Sequence, residues 1–241
     1  MKKELDHAAA FFTMARDYKN KIGADFQLLI EPKPREPTKH QYDYDAQTVM
    51  GFLNHYNLEN DFKLNIEPNH TTLAGHDYEH DIIISAQYGM LGSVDCNTGD
   101  TLVGWDTDQF LMDERKATLC MKAIIDMGGL SPGGLNFDCK VRRESTDIED
   151  MFISHIASMD CFAKGLRNAA RLINQGDLDK MVKARYSSWD QGGLAAKVEA
   201  GSANLDELYE YALSNGEPKM ISAQQELYER VFNHGCDDRT D

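Results

Sequence analysis

Apolar positions recur at helical spacing from Lys3 to Lys21, where Leu5, Ala8, Ala9, Phe12 and Ala15 share one face. The run Phe26 to Ile30 is too short for a helix and stops before Pro32, which predicts a buried strand. A second amphipathic helix is expected from Asp45 to Tyr56, on Val49, Phe52, Leu53 and Tyr56. Lys63 to Ile66 then predicts a strand closed by Pro68, and His76 to Tyr88 a helix on Ile82, Ile83 and Ala86. Leu91 to Val94 predicts a short strand, and Leu102 to Gly104 an extended loop edge. Arg115 to Met127 predicts a helix stopped by Gly128-Gly129, and Leu135 to Phe137 a fourth strand. Strands separated by helices imply a parallel sheet, because parallel neighbours need a long crossover. From Ile148 the strand pattern ends. Helices are expected over 148–174, 178–186, 204–215 and 219–233, with Asn204 and Glu207 spaced as a capping box. The division is therefore an α/β region over 1–147 and a helical arm over 148–241.

Each predicted strand is followed by a carboxylate: Glu31, Glu67, Asp95 and Asp138. In parallel α/β sheets and barrels the C-terminal strand ends open on one mouth, so these acids should meet there. Carboxylates in close quarters repel, so such a mouth calls for cations. Asp106 and Asp108, two apart, point to one side of an extended chain, and His70 stands three residues after Glu67. Six carboxylates and one imidazole, with no thiolate, form a hard donor set suited to Mg²⁺, the histidine admitting Mn²⁺ or Co²⁺. Two ions sharing a carboxylate would use all seven residues. Lys33, two residues after Glu31, should look into the same mouth and face a substrate oxygen.

Charge and composition narrow the partners. A net charge of −15 opposes nucleic-acid binding, and 41% hydrophobic against 27% charged residues is the balance of a folded globular chain. No run approaches the ~18 apolar residues of a spanning helix. Acids interrupt any leader pattern at the start, so a cytoplasmic, membrane-free protein is expected. Five cysteines without C-x-x-C spacing predict packing residues rather than disulfides or a zinc site. There is no phosphate-binding glycine motif and no G-x-S-x-G elbow. His40 and His76 are expected in surface or hydrogen-bonding roles, Arg142 and Arg143 paired with nearby acids, and the acidic end 237–241 as a solvated tail.

The segments LLIEPKPREPTKHQYDYD, LNIEPNHTTLAGH, LGSVDCNTGD, GWDTDQF and GGLNFDCKVRR, with RYSSWD in the arm, closely resemble the xylose isomerases of the longer-chain class. The resemblance implies a (β/α)₈ TIM barrel with a C-terminal helical arm, usually a homotetramer. It implies interconversion of D-xylose and D-xylulose by hydride shift, often also of D-glucose and D-fructose, with two divalent cations. It assigns Glu31, Glu67, Asp95 and Asp138 to a structural metal. It assigns Glu67, His70, Asp106 and Asp108 to a catalytic metal, Glu67 bridging, and makes Lys33 the catalytic contact to the sugar's carbonyl-end oxygen. The matching motifs are those of strands five to eight. The expected fold is thus four C-terminal βα units, a half-barrel, plus the arm. The half that carries the family's ring-opening histidine–aspartate pair and aromatic pocket walls has no counterpart here. The alternatives are a non-catalytic metal-binding half-barrel and another metal-dependent sugar isomerase or epimerase.

Overall fold

A computed structural model describes residues 1–237. The chain divides into two compact units, Met1–Ala169 and Ala170–Asp241.

The first unit opens with helix α1 (Lys2–Lys21) and continues through strand β1 (Leu28–Ile30), helix α2 (Ala46–His55), strand β2 (Phe62–Ile66), and helices α3 (Pro68–Leu73) and α4 (His80–Gln87). Strands β3 (Leu91–Asp95), β4 (Asn97–Thr98) and β5 (Gln109–Phe110), helix α5 (Glu114–Asp126) and strand β6 (Leu135–Asn136) follow. The main sheet runs β1-β2-β3-β6 in sequence order and every pairing is parallel. That is the sheet the alternating pattern predicts. Alternation along β2 sends Phe62, Leu64 and Ile66 into the core while Lys63 and Asn65 face the other way. The core under that face joins Val49 and Leu53 of α2, Ile82 of α4, Cys120 and Ile124 of α5, and Phe162. Burying each such aliphatic or aromatic side chain contributes about 1.5–3 kcal/mol. Helix starts are set by side-chain oxygens. Asp45 accepts from Thr48 N at 2.8 Å at the head of α2, and Asp113 accepts from the Arg115 and Lys116 amides at the head of α5.

Three local expectations are corrected. The residues expected as one helix from His76 to Tyr88 contribute only α4, and α3 precedes it, with Pro68 at its first turn. Proline lacks the amide that the first turn leaves unused, so it ends β2 and begins a helix at once. Leu102 to Gly104 is a turn rather than an extended edge, and β4 and β5 form a small antiparallel ribbon that the alternation did not predict. Arg142 donates to the carbonyls of Thr107 and Lys140, at 2.5 and 3.0 Å, instead of pairing with an acid.

Helix α6 (Ile148–Gln175) carries the chain into the second unit. There α7 (Asp177–Tyr186), a 3₁₀ turn (Ser187–Gln191), α8 (Leu194–Glu199), α9 (Leu205–Asn215) and α10 (Gln225–Gly235) follow. The capping box at Asn204 and Glu207 forms with both reciprocal bonds. The 3₁₀ turn and α8 were not anticipated, and the last helix begins at Gln225, later than its apolar pattern indicated. Of the apolar residues of α6, Phe162 is buried, whereas Met151, Ile156 and Leu166 are exposed. Of the acidic end, residues 238–241 lie outside the described residues.

Candidate metal centre

The carboxylates gather beyond the C-terminal ends of the sheet strands. Glu31 follows β1, Glu67 caps α3 directly after β2, Asp95 ends β3 and Asp138 comes two residues after β6. Three groups of possible ligand atoms form there, and all three contain Glu67: Glu67 with Glu31 and His70, with Asp106 and Asp108, and with Asp95 and Asp138. Within each group the atoms lie within 4.8 Å of one another. All seven residues singled out in the sequence are thus brought together around one carboxylate that is 2% exposed.

Asp106 and Asp108 reach Glu67 by a route the simple extended alternation does not capture. Asp108 takes φ 44°, a left-handed conformation that aspartate tolerates better than most residues. The intervening backbone is irregular, and this turn aims both carboxylates inward.

His70 is oriented by its backbone contact. Its Nδ1 lies 3.0 Å from the Pro32 carbonyl, an acceptor only, so Nδ1 carries the hydrogen. Nε2 lies 3.2 Å from both Asp106 Oδ2 and Glu67 Oε2. The ring nitrogen thus faces the same space as the two carboxylates, and a ligating histidine ordinarily has its other nitrogen fixed this way.

The electrostatics show the same strain. Burial, then the hydrogen-bonded Glu31, pushes the Glu67 carboxyl up to about 10. Burial also raises Asp95, against the opposing amide of Asn65, and raises Asp108, with Asp106 adding to the effect. Burial acts on Asp106 in the same direction, but hydrogen bonds from His70, Asp108 and Lys33 outweigh it and hold Asp106 well below the usual range. Lys33 Nζ sits 2.6 Å from Asp106 Oδ2, and this partner outweighs burial and keeps the ammonium charged. The donor set therefore fits divalent cations: it is rich in oxygen, has one imidazole, and is short of positive charge.

Several site residues escaped the sequence reading. Lys140 pairs with Asp108, mirroring Lys33 on Asp106. Asn65 Nδ2 donates to Glu31 Oε2 and Asp95 Oδ2, both at 2.8 Å. Asn97 Nδ2 donates to Glu67 Oε1 and to the Asp138 carbonyl, both at 2.8 Å. Asn136 donates to Asp95 and Asn69 to Asp106. The signal was present in the period of two: Asn65-x-Glu67, Asp95-x-Asn97 and Asn136-x-Asp138-x-Lys140 place donors on the same side as the acids.

One further group among the described residues, His76, His80 and Asp81, is a poorer cation site. The two rings stack 4.1 Å apart at 12°, so their in-plane lone pairs lie in parallel planes and cannot meet at one ion. Each ring already has a carboxylate, His76 on Asp45 at 3.0 Å and His80 on Asp81 at 2.8 Å. His76 thus keeps a hydrogen-bonding role, and His40 stacks on Tyr44. Cys96, Cys120 and Cys161 are buried packing residues, and burial pushes the Cys120 thiol up to about 12. No helix among the described residues is long and apolar enough to cross a membrane.

Residues 182–236 match the family model described as the XylA2 C-terminal domain. The chain is 53% identical to a xylose isomerase of Arabidopsis thaliana over 96% of its own length and 48% of the relative's. It is 52% identical to that of Phocaeicola vulgatus over 98% of the chain and 53% of the relative. With that of Thermoanaerobacter pseudethanolicus it shares 51% over 97% of the chain and 53% of the relative. The chain spans about half the length of the curated relatives it matches, and over nearly all of its own length it belongs to the xylose isomerase family.

Proposed function

We propose that this chain supplies the metal-binding half of a xylose isomerase, acting on D-xylose and D-xylulose. The observation that carries the reading is the position of Glu67 in all three ligand groups, with Lys33 beside Asp106. In this reading four parallel βα units form half of a (β/α)₈ barrel, and the units over 148–241 serve as an arm for assembly into a homo-oligomer, a tetramer as in the family. The exposed Tyr186, Tyr209, Leu213 and Met220 of the arm offer apolar surface for such an assembly.

Glu31, Glu67, Asp95 and Asp138 would hold one divalent ion, and Glu67, His70, Asp106 and Asp108 the other. Mg²⁺ suits the oxygens, with Mn²⁺ or Co²⁺ as substitutes. Two such ions would act as Lewis acids on the sugar oxygens and as a template for the open chain. The chain's own residues do the rest. Lys33, charged through its pairing with Asp106, is placed to donate to the carbonyl-end oxygen and to stabilise the negative charge that develops there. The isomerisation balances internally: C2 loses a hydride that C1 gains, and the hydroxyl proton passes from O2 to O1. Asp108, held by Lys140, and Asp106, held by Lys33, keep their carboxylates on Glu67's side of the mouth.

The test has two parts. Titration with Co²⁺ should show two ions bound per chain, and D-xylulose should form from D-xylose with Mg²⁺ once the barrel is completed by the other half. Absence of Co²⁺ binding would exclude the reading. A second reading, a metal-binding half-barrel without turnover, draws on the half-length span of the relatives. It predicts the same Co²⁺ stoichiometry and no D-xylulose under any complementation.

A further inference from the structure

Every acid of a two-ion site must be held at the right spacing while it lacks its ion, when like charges push it away. A lysine can hold an acid, as Lys33 holds Asp106 and Lys140 holds Asp108, but it competes with the cation for the same lone pairs. A neutral amide donor does not compete by charge. It can occupy one lone pair of a carboxylate oxygen and leave the other for a metal.

The site contains such donors in a defined pattern. Asn65 Nδ2 spans Glu31 Oε2 and Asp95 Oδ2, and so cross-links the acids that follow β1 and end β3 from the strand between them. Asn97 is fully buried and uses both ends of its amide. Its Nδ2 donates to Glu67 Oε1 and the Asp138 carbonyl, while its Oδ1 accepts from the Asn69 backbone amide at 3.1 Å. Asn97 thereby ties the shared carboxylate, the first turn of α3 and the chain beyond β6 to one rigid group. A buried amide with both ends engaged has a fixed orientation, and it fixes what it touches.

We propose that Asn65 and Asn97 are positioning residues that set the separation and rotation of the ligand carboxylates Glu31, Glu67 and Asp95, with Asn97 also fixing the backbone at Asp138. The inference rests on the two-ion reading of the site. It assigns two residues that bind no ion themselves a direct effect on ion affinity and coordination geometry.

The test uses the full chain with Co²⁺ as the probe and compares the wild type with Asn97→Ala, Asn65→Ala and, as a control that is not a site residue, Asn215→Ala. Affinity comes from calorimetric titration, coordination from the visible spectrum of bound Co²⁺, and folding from far-ultraviolet circular dichroism and melting. Folded Asn97→Ala and Asn65→Ala proteins should each bind Co²⁺ about 10–100-fold more weakly, with altered visible bands, while Asn215→Ala matches the wild type. Unchanged affinity and spectra in the folded variants overturn the inference, even if melting falls. Failure of both variants to fold overturns it too, since the amides would then be structural. A wild type that binds no Co²⁺ overturns the two-ion reading and the inference with it, whereas tight wild-type binding with unaffected variants overturns the inference alone.

Discussion

At Glu67 two demands conflict. Folding places the carboxyl 2% exposed among other acids, and a divalent ion needs it ionised. Glu67→Gln removes the charge and keeps the shape. It should weaken both cation sites by at least about tenfold, while the cation-free chain melts higher near neutral pH, because an ionisation opposed by burial has gone. Co²⁺ titration and paired melting curves check both signs. The pH dependence follows from the same group. Its native carboxyl is raised to about 10 from an ordinary 4.5, so between those values the folded state holds the proton more tightly than the unfolded state. Stability of the cation-free chain should therefore fall as pH rises from about 5 to about 8, and saturating Mg²⁺ should flatten that fall. Asp95 and Asp108 are raised and add to the slope; Asp106 is lowered and acts only in more acidic solution. Melting in EDTA and in Mg²⁺ across that range decides it. The four strand-end acids were legible in the sequence because strand ends converge by topology, and His70, Asp106 and Asp108 were candidates by spacing alone. Lys140 and the asparagines were not, because a lone amide or lysine two residues from an acid resembles any polar loop position.

Between elements, α5 and α6 approach closely at a glycine. A Cβ built on Gly165 would lie 2.7 Å from the Ala117 backbone carbon, so the two helices touch main chain to main chain there. Gly165→Ala gains up to about 1 kcal/mol of helix propensity but meets backbone that cannot move aside. Overpacking of this kind costs about 1–3 kcal/mol, so a net loss of up to about 2 kcal/mol is expected in urea unfolding. At the surface, Asn204→Ala should cost about 1 kcal/mol by removing one side of the capping box of α9. That cap was legible because it depends on two residues three apart. The start of α3 was not, since Pro68 serves equally as a strand stop and as a first-turn residue. The β4–β5 ribbon pairs only Asn97 with Phe110 and Thr98 with Gln109, too few residues for alternation to register.

Among the described residues, the parallel order β1-β2-β3-β6 leaves β1 and β6 each with one unpaired edge in the main sheet. On β6, Leu135 is 42% exposed, and on β1, Leu29 is 39% exposed. Unpaired parallel edges carrying apolar side chains are unfavourable in water, and a segment with two complementary edges would relieve both. The relatives are about twice as long as the matched region, and so have chain enough to provide that segment. On the proposed reading the chain holds the candidate ligands and Lys33, and the resemblance places the ring-opening pair in the other half. Loss of general acid–base help alone costs about 10²–10⁴-fold, and an open pocket adds poor positioning and free water. The chain alone should therefore turn over D-xylose at least about 10²-fold more slowly than a full-length relative. Adding the first four βα units of such a relative as a separate polypeptide should restore D-xylulose formation in Mg²⁺ and raise the melting temperature together, since the same edge pairing completes both sheet and pocket. A rise in melting without turnover would favour the non-catalytic half-barrel, and full turnover by the chain alone would show that the added half supplies less than the open edges indicate.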